Sequence, residues 1–128
     1  MKITTLVARI LLGLVFTVFG LNGFLHFIPN GPMPQPAIDF FGALLATGYM
    51  IRIIFLAQLI GGVLLLTGVA VPLGLVLLAP IILNIFFFHL FLAPGGLPVA
   101  FAVIALEVFL AWRYQNSFAP LFSSSVPS

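Results

Sequence analysis

The sequence predicts an all-α integral membrane protein: a four-helix bundle with a short interfacial or re-entrant helix after the first span. Three observations lead there. Only 5% of residues are charged, against about a quarter in a soluble domain, and none lies between Ile53 and Leu106. Hydrophobic residues make up 63% of the chain, so most of its surface faces something other than water. Runs such as residues 75–93, LVLLAPIILNIFFFHLFLA, are apolar on every face. A buried or lipid-embedded helix has that pattern, whereas a barrel strand alternates polar and apolar residues. One span takes about 20 apolar residues, so 128 residues hold four with short connections.

The first span is expected at about residues 6–28. Lys2 and Arg9 ahead of an apolar run resemble a secretory signal. The run is longer than a signal's apolar core and no A-x-A site follows, so an uncleaved helix is expected. Pro29, Pro32, Pro34 and Pro36, with Asn30 and Gly31, force a loop. The stretch that follows, AIDFFGALLATG, is too short to span.

The second span is expected at about 49–67 and the third at about 71–92. As one helix, residues 53–93 would extend about 60 Å, twice the bilayer core. The chain therefore folds back once, at Gly68, Pro72 and Gly74, in a tight hairpin. Pro80 falls inside the third span, where its ring kinks a helix. Pro94, Gly95, Gly96 and Pro98 turn the chain into the fourth span, about 97–114. Residues 1–118 form a single transmembrane domain on this reading, and 119–128, rich in Ser and Pro, a flexible tail.

Lys2, Arg9 and Arg113 all fall at the end shared by the two termini. The excess of Lys and Arg on cytoplasmic loops puts both termini in the cytoplasm. Arg52 and Asp39 then lie together on the outer side, where they could pair. Trp112 and Tyr114 suit an inner interfacial belt and Tyr49 an outer one.

Four basic residues are too few for a phosphate-reading surface, so nucleic acid is excluded as a partner. The absence of cysteine excludes disulfides, thiolate metal sites, iron–sulfur clusters and thiol–quinone exchange. No nucleotide loop, nucleophile–base pair or carboxylate cluster is present. No catalytic residue and no metal site is assigned.

Candidate functional residues are the polar side chains within the spans, which are costly in lipid: Asn22 and His26 on the first, Gln58 on the second, Asn84 and His89 on the third, and Glu107 on the fourth. At about 1.5 Å per residue, all six fall between the outer rim and the midplane. Turned inward, they would make a polar track or pocket open to the outer face and ending at Glu107. Ala100 and Ala111 share the Glu107 face, which points that carboxyl into the bundle. It serves there either as a proton relay or ligand anchor, or as a hydrogen-bonding partner of Gln58 or Asn84 that joins helices.

Asn22 and His26, four residues apart, share one helical face. Gly13, Thr17 and Gly20 mark roughly the opposite face, expected to meet a second copy or another membrane protein. His26 and His89 stand at similar depth on different spans. They could ligate one haem b iron, bond loop carbonyls at the interface, or line a mouth where a histidine donates to a quinone carbonyl. Phe86, Phe87, Phe88 and Phe91 could stack on such a ring or face lipid. Gln58, Gly61 and Gly62 share a face that permits close helix approach.

Four segments in order, ARILLGLVFTVFGLNGF (8–24), AQLIGGVLLLTG (57–68), NIFFFHLFL (84–92) and ALEVFLAWRY (105–114), with a Pro-rich first loop and a GG turn before the last span, resemble small members of the DoxX-like family. The resemblance implies a four-helix protein of the bacterial inner membrane. It also implies an accessory subunit of a quinone-linked redox or electron-transfer complex that is not an enzyme on its own. The polar second-span position is Gln58, where many relatives carry an acid, so a charge-dependent role there does not transfer. Alternatives are a haem b protein using His26 and His89, or a small-molecule or proton carrier using Glu107.

Overall fold

The computed structural model describes residues 2–29 and 31–124. It contains helices α1 (Lys2–Leu25), α2 (Gln35–Ala46), α3 (Met50–Thr67), α4 (Val71–Phe91), α5 (Leu97–Arg113) and α6 (Gln115–Phe118), with 3-10 turns at Pro94–Gly96 and Ala119–Phe122. Among the described residues there is no strand. Four helices are long and apolar enough to cross a bilayer: α1, α3, α4, and α5 with the turn before it.

The core is a set of narrow stripes. Ala8, Leu12, Phe16 and Gly20 recur every fourth residue on α1, and Gln58, Gly61, Gly62 and Leu65 fall at i, i+3, i+4 and i+7 on one face of α3. Leu75, Leu78 and Ile82 of α4 and Ala100, Val103, Glu107 and Leu110 of α5 complete it. The opposite faces carry Leu11, Leu14, Phe19, Leu56, Ile60, Leu73, Val76, Leu83, Phe101 and Val108, all exposed. A monomer in water does not leave apolar surface of that extent uncovered. A bilayer covers it without cost, and the protein is read as multi-pass.

The helices pack in the ring α1–α3–α4–α5, so α3 and α5 stand at opposite corners. The closest seam is α1 on α3. A Cβ on Gly13 would lie 2.6 Å from the Leu66 nitrogen, one on Gly20 2.7 Å from the Leu59 nitrogen, and one on Gly62 2.5 Å from the Thr17 nitrogen. This corrects one expectation. The Gly13, Thr17 and Gly20 face is not free for a partner, because α3 of the same chain covers it. Missing side chains let the two backbones touch, and dispersion then holds them without a hydrophobic drive.

The hairpin between α3 and α4 turns at Gly68, with φ 78°, and Ala70, with φ 48°. Pro72 sits in the first turn of α4, where its missing N–H costs nothing. Gly74, expected in the turn, lies inside α4, where a Cβ would stand 3.1 Å from the Gly61 carbonyl oxygen. α4 continues through Pro80. Residues 119–122 form the last 3-10 turn, and residues 125–128 of the expected flexible tail lie outside the described residues.

α2 has 12 residues, about 18 Å, and does not span. Phe40 and Phe41 hold it against Phe88 of α4, with ring centroids 5.7 and 5.1 Å apart. Asp39 accepts from Gln35 Nε2 at 2.8 Å, one turn earlier on the same helix. The expected pairing with Arg52 is not formed among the described residues.

Candidate functional site

The end of the bundle distal to the N-terminus holds a groove of about 320 Å³. Residues 32–34 of the first loop form one wall, Phe88 and His89 of α4 another, and Ala93, Gly95 and Gly96 the floor. Each wall follows from local chemistry. The Pro-rich loop cannot fold back into helix and stays extended over the mouth. α4 ends at Phe91, and Leu92 and Ala93 both donate their N–H to the Phe88 carbonyl. That tight ending turns the Ala93 carbonyl back toward the last turn of α4.

His89 meets that carbonyl. Its Nδ1 lies 3.2 Å from the Ala93 oxygen. A carbonyl oxygen can only accept, so this contact assigns the proton to Nδ1 and leaves the lone pair of the neutral ring on Nε2. The ring is held on two further sides. Phe88 packs edge-on at 5.1 Å, and Gly96 lies so close that any Cβ there would overlap the imidazole. Phe40 and Phe41 pack against Phe88 and fix it but do not themselves line the groove. The result is a mostly apolar slot with one oriented imidazole, the general form of a small-molecule site.

The other polar residues are dispersed. Asn22 is the C-terminal anchor of α1: its Oδ1 accepts the Ile28 N–H at 2.7 Å and its carbonyl accepts the His26 N–H at 2.8 Å. His26 therefore does not extend the first helix as expected. It follows α1 in a left-handed conformation, φ 53°, where a chain leaving a helix reverses direction. It is exposed and does not line the groove, so the groove brings one imidazole, not two, to a ligand.

Gln58 is buried on α3 and Glu107 on α5. The Glu107 Oε1 is buried without a hydrogen-bond partner. Gln58 and Glu107 occupy diagonal corners of the ring, and among the described residues neither bonds to any other of the six candidates. Asn84 is exposed on the outer surface of α4. The six residues thus divide into one at the groove (His89), one cap (Asn22), one exposed imidazole after α1 (His26), two separate buried groups (Gln58 and Glu107) and one exposed amide (Asn84).

Sequence reasoning missed Ala93 and Gly96, the groups that orient His89. A main-chain carbonyl leaves no trace in residue type, and the GG pair reads first as a turn. No family model, no characterised protein and no solved structure matches the chain.

Proposed function

We propose that this chain is a DoxX-like accessory subunit of a quinone-linked redox complex in the bacterial inner membrane, with both termini cytoplasmic. On this reading its distal groove receives the headgroup of a quinol. The observation that carries the proposal is the His89 Nδ1 to Ala93 carbonyl contact at 3.2 Å inside a mostly apolar groove lined on one side by Phe88. With Nδ1 protonated, neutral His89 offers a lone pair at Nε2, so it accepts from a hydroxyl instead of donating to a carbonyl. A quinol hydroxyl meets that requirement: as the quinol is oxidised one of its two protons passes to Nε2, leaving an imidazolium that then donates to the quinone oxygen, and the second passes to water at the open mouth of the groove. The two electrons pass to the oxidising partner protein of the complex.

Support for a partner comes from Asn84. An amide on a lipid-facing surface about 10 Å from the distal end of α4 lacks the hydrogen bonds that water would give it. An interhelical hydrogen bond in a membrane contributes about 1 kcal/mol. Asn84 therefore replaces the covered Gly13, Thr17 and Gly20 face as the docking point for another membrane protein.

The test is binding of a short-chain quinol analogue to the protein in nanodiscs, with an absorption spectrum of the same preparation. His89→Ala is expected to weaken binding about tenfold, the loss of one buried hydrogen bond. Unchanged binding would remove His89 from the proposal. A Soret band that disappears in His89→Ala would place a haem there instead.

A second reading rests on the unpartnered Glu107 Oε1: a carrier that takes its proton or small cargo on that carboxyl. Glu107→Gln keeps shape and removes the ionisable group. Loss of uptake in proteoliposomes would favour the carrier, and full retention would exclude it.

A further inference from the structure

At the opposite end of the bundle, three of the chain's four Lys and Arg residues come together. Lys2 and Arg9 of α1 and Arg113 of α5 line a groove of about 190 Å³ with Thr5, Leu6 and Tyr114. Among the described residues none of the three is ion-paired with a carboxylate.

The two guanidinium groups are held in place by different means. Arg113 Nε donates to Thr5 Oγ1 at 2.9 Å, which ties α5 to α1, and its Cζ lies 5.8 Å from the centre of the Trp112 ring. The Arg9 side chain lies against Gly68, where any Cβ would meet its Nη1, and its Nε is buried without a partner. The negative end of the α3 dipole offsets part of the Arg9 charge. The negative end of the α5 dipole does the same for Arg113, the last residue of that helix, whereas Lys2 stands at the positive end of α1.

Like charges brought together at the edge of a low-dielectric bundle repel one another. The arrangement is favourable when an anion sits among them. Two planar guanidinium groups and one ammonium suit a phosphate group, which takes forked hydrogen bonds from Arg and a point charge from Lys.

We propose that this groove binds one phosphate-type oxyanion. Its position favours the phosphodiester of an anionic membrane lipid as the source. Trp112 and Tyr114 mark headgroup depth at this end, and basic pockets between membrane helices take acidic headgroups in that setting. The site is independent of the distal groove and of the function assigned to it.

Native mass spectrometry of the whole protein, released from nanodiscs containing equal phosphatidylglycerol and phosphatidylcholine, tests this. One phosphatidylglycerol is expected to be retained in preference to phosphatidylcholine. Arg9→Gln combined with Arg113→Gln should reduce that preference at least tenfold, and Arg52→Gln, at the far end, should leave it intact. In case the double variant misfolds, Lys2→Gln alone should lower the preference while circular dichroism stays helical. A parallel arm titrates inorganic phosphate in neutral detergent. A rise in thermal stability that Lys2→Gln weakens, without any lipid preference, would keep the anion site and make free phosphate its source. Equal retention of both lipids with no response to phosphate overturns the proposal, as does a lipid preference that Arg52→Gln reduces equally.

Discussion

The orientation of His89 is set by two neighbours that lack side-chain chemistry. The Ala93 carbonyl assigns the Nδ1 proton, and Gly96 leaves space for the ring. Gly96→Ala should therefore displace the imidazole without altering it chemically. The expected outcome is a loss of quinol-analogue affinity close to that of His89→Ala, measured by the same titration, with the helical spectrum unchanged. A Gly96→Ala protein that binds like the parent would show that the orientation of His89 is immaterial. Asn84 makes a second residue-scale prediction. Asn84→Leu should leave the isolated protein at least as stable, since it removes an amide from a lipid-facing surface. It should also reduce recovery of partner proteins after mild-detergent extraction. Retained partners would move the docking surface elsewhere.

Close contact between α1 and α3 decides how the bundle holds together. Gly62→Val would drive a branched side chain into Phe16 and Thr17, and overpacking of this kind costs about 1–3 kcal/mol. Gly42→Ala in α2 is the matched contrast. Nothing lies within 4 Å of a Cβ there, and replacing a helical glycine by alanine gains about 0.5–1 kcal/mol. Reversible unfolding in mixed detergent micelles measures both, with opposite signs expected.

The same scale shows what the residues make legible. Spans at 49–67, 71–92 and 97–114 match α3, α4 and α5 to within a residue or so, because uninterrupted apolar runs end at Gly and Pro. The first span is misjudged at both ends. The polar start, Lys2 to Thr5, is helical, and the apolar pair Phe27–Ile28 is not, because Asn22 caps the helix from within. Gly13, Thr17 and Gly20 are legible as a contact stripe, but small residues state only that something approaches, and here it is α3. Which side of α4 faces lipid was not legible at all, since a helix apolar all round gives no preferred direction. Asn84 and His89 therefore separate in space despite their proximity in sequence.

For the whole molecule, the claim beneath the others is that α1, α3, α4 and α5 cross a bilayer, so that the connections alternate between its two sides. The His89 groove and the basic groove then face different compartments, and one could sense a ligand that never reaches the other. The chain contains no cysteine, so an introduced thiol is unique. The direct measurement labels Gly31→Cys, Val69→Cys, Gly95→Cys and Ser124→Cys in intact cells with a membrane-impermeant maleimide, before and after permeabilisation. Positions 31 and 95 are expected to react in intact cells, and positions 69 and 124 only after permeabilisation. Labelling of positions 31 and 69 from the same side would contradict the four-span account, and the two-compartment separation of the grooves with it.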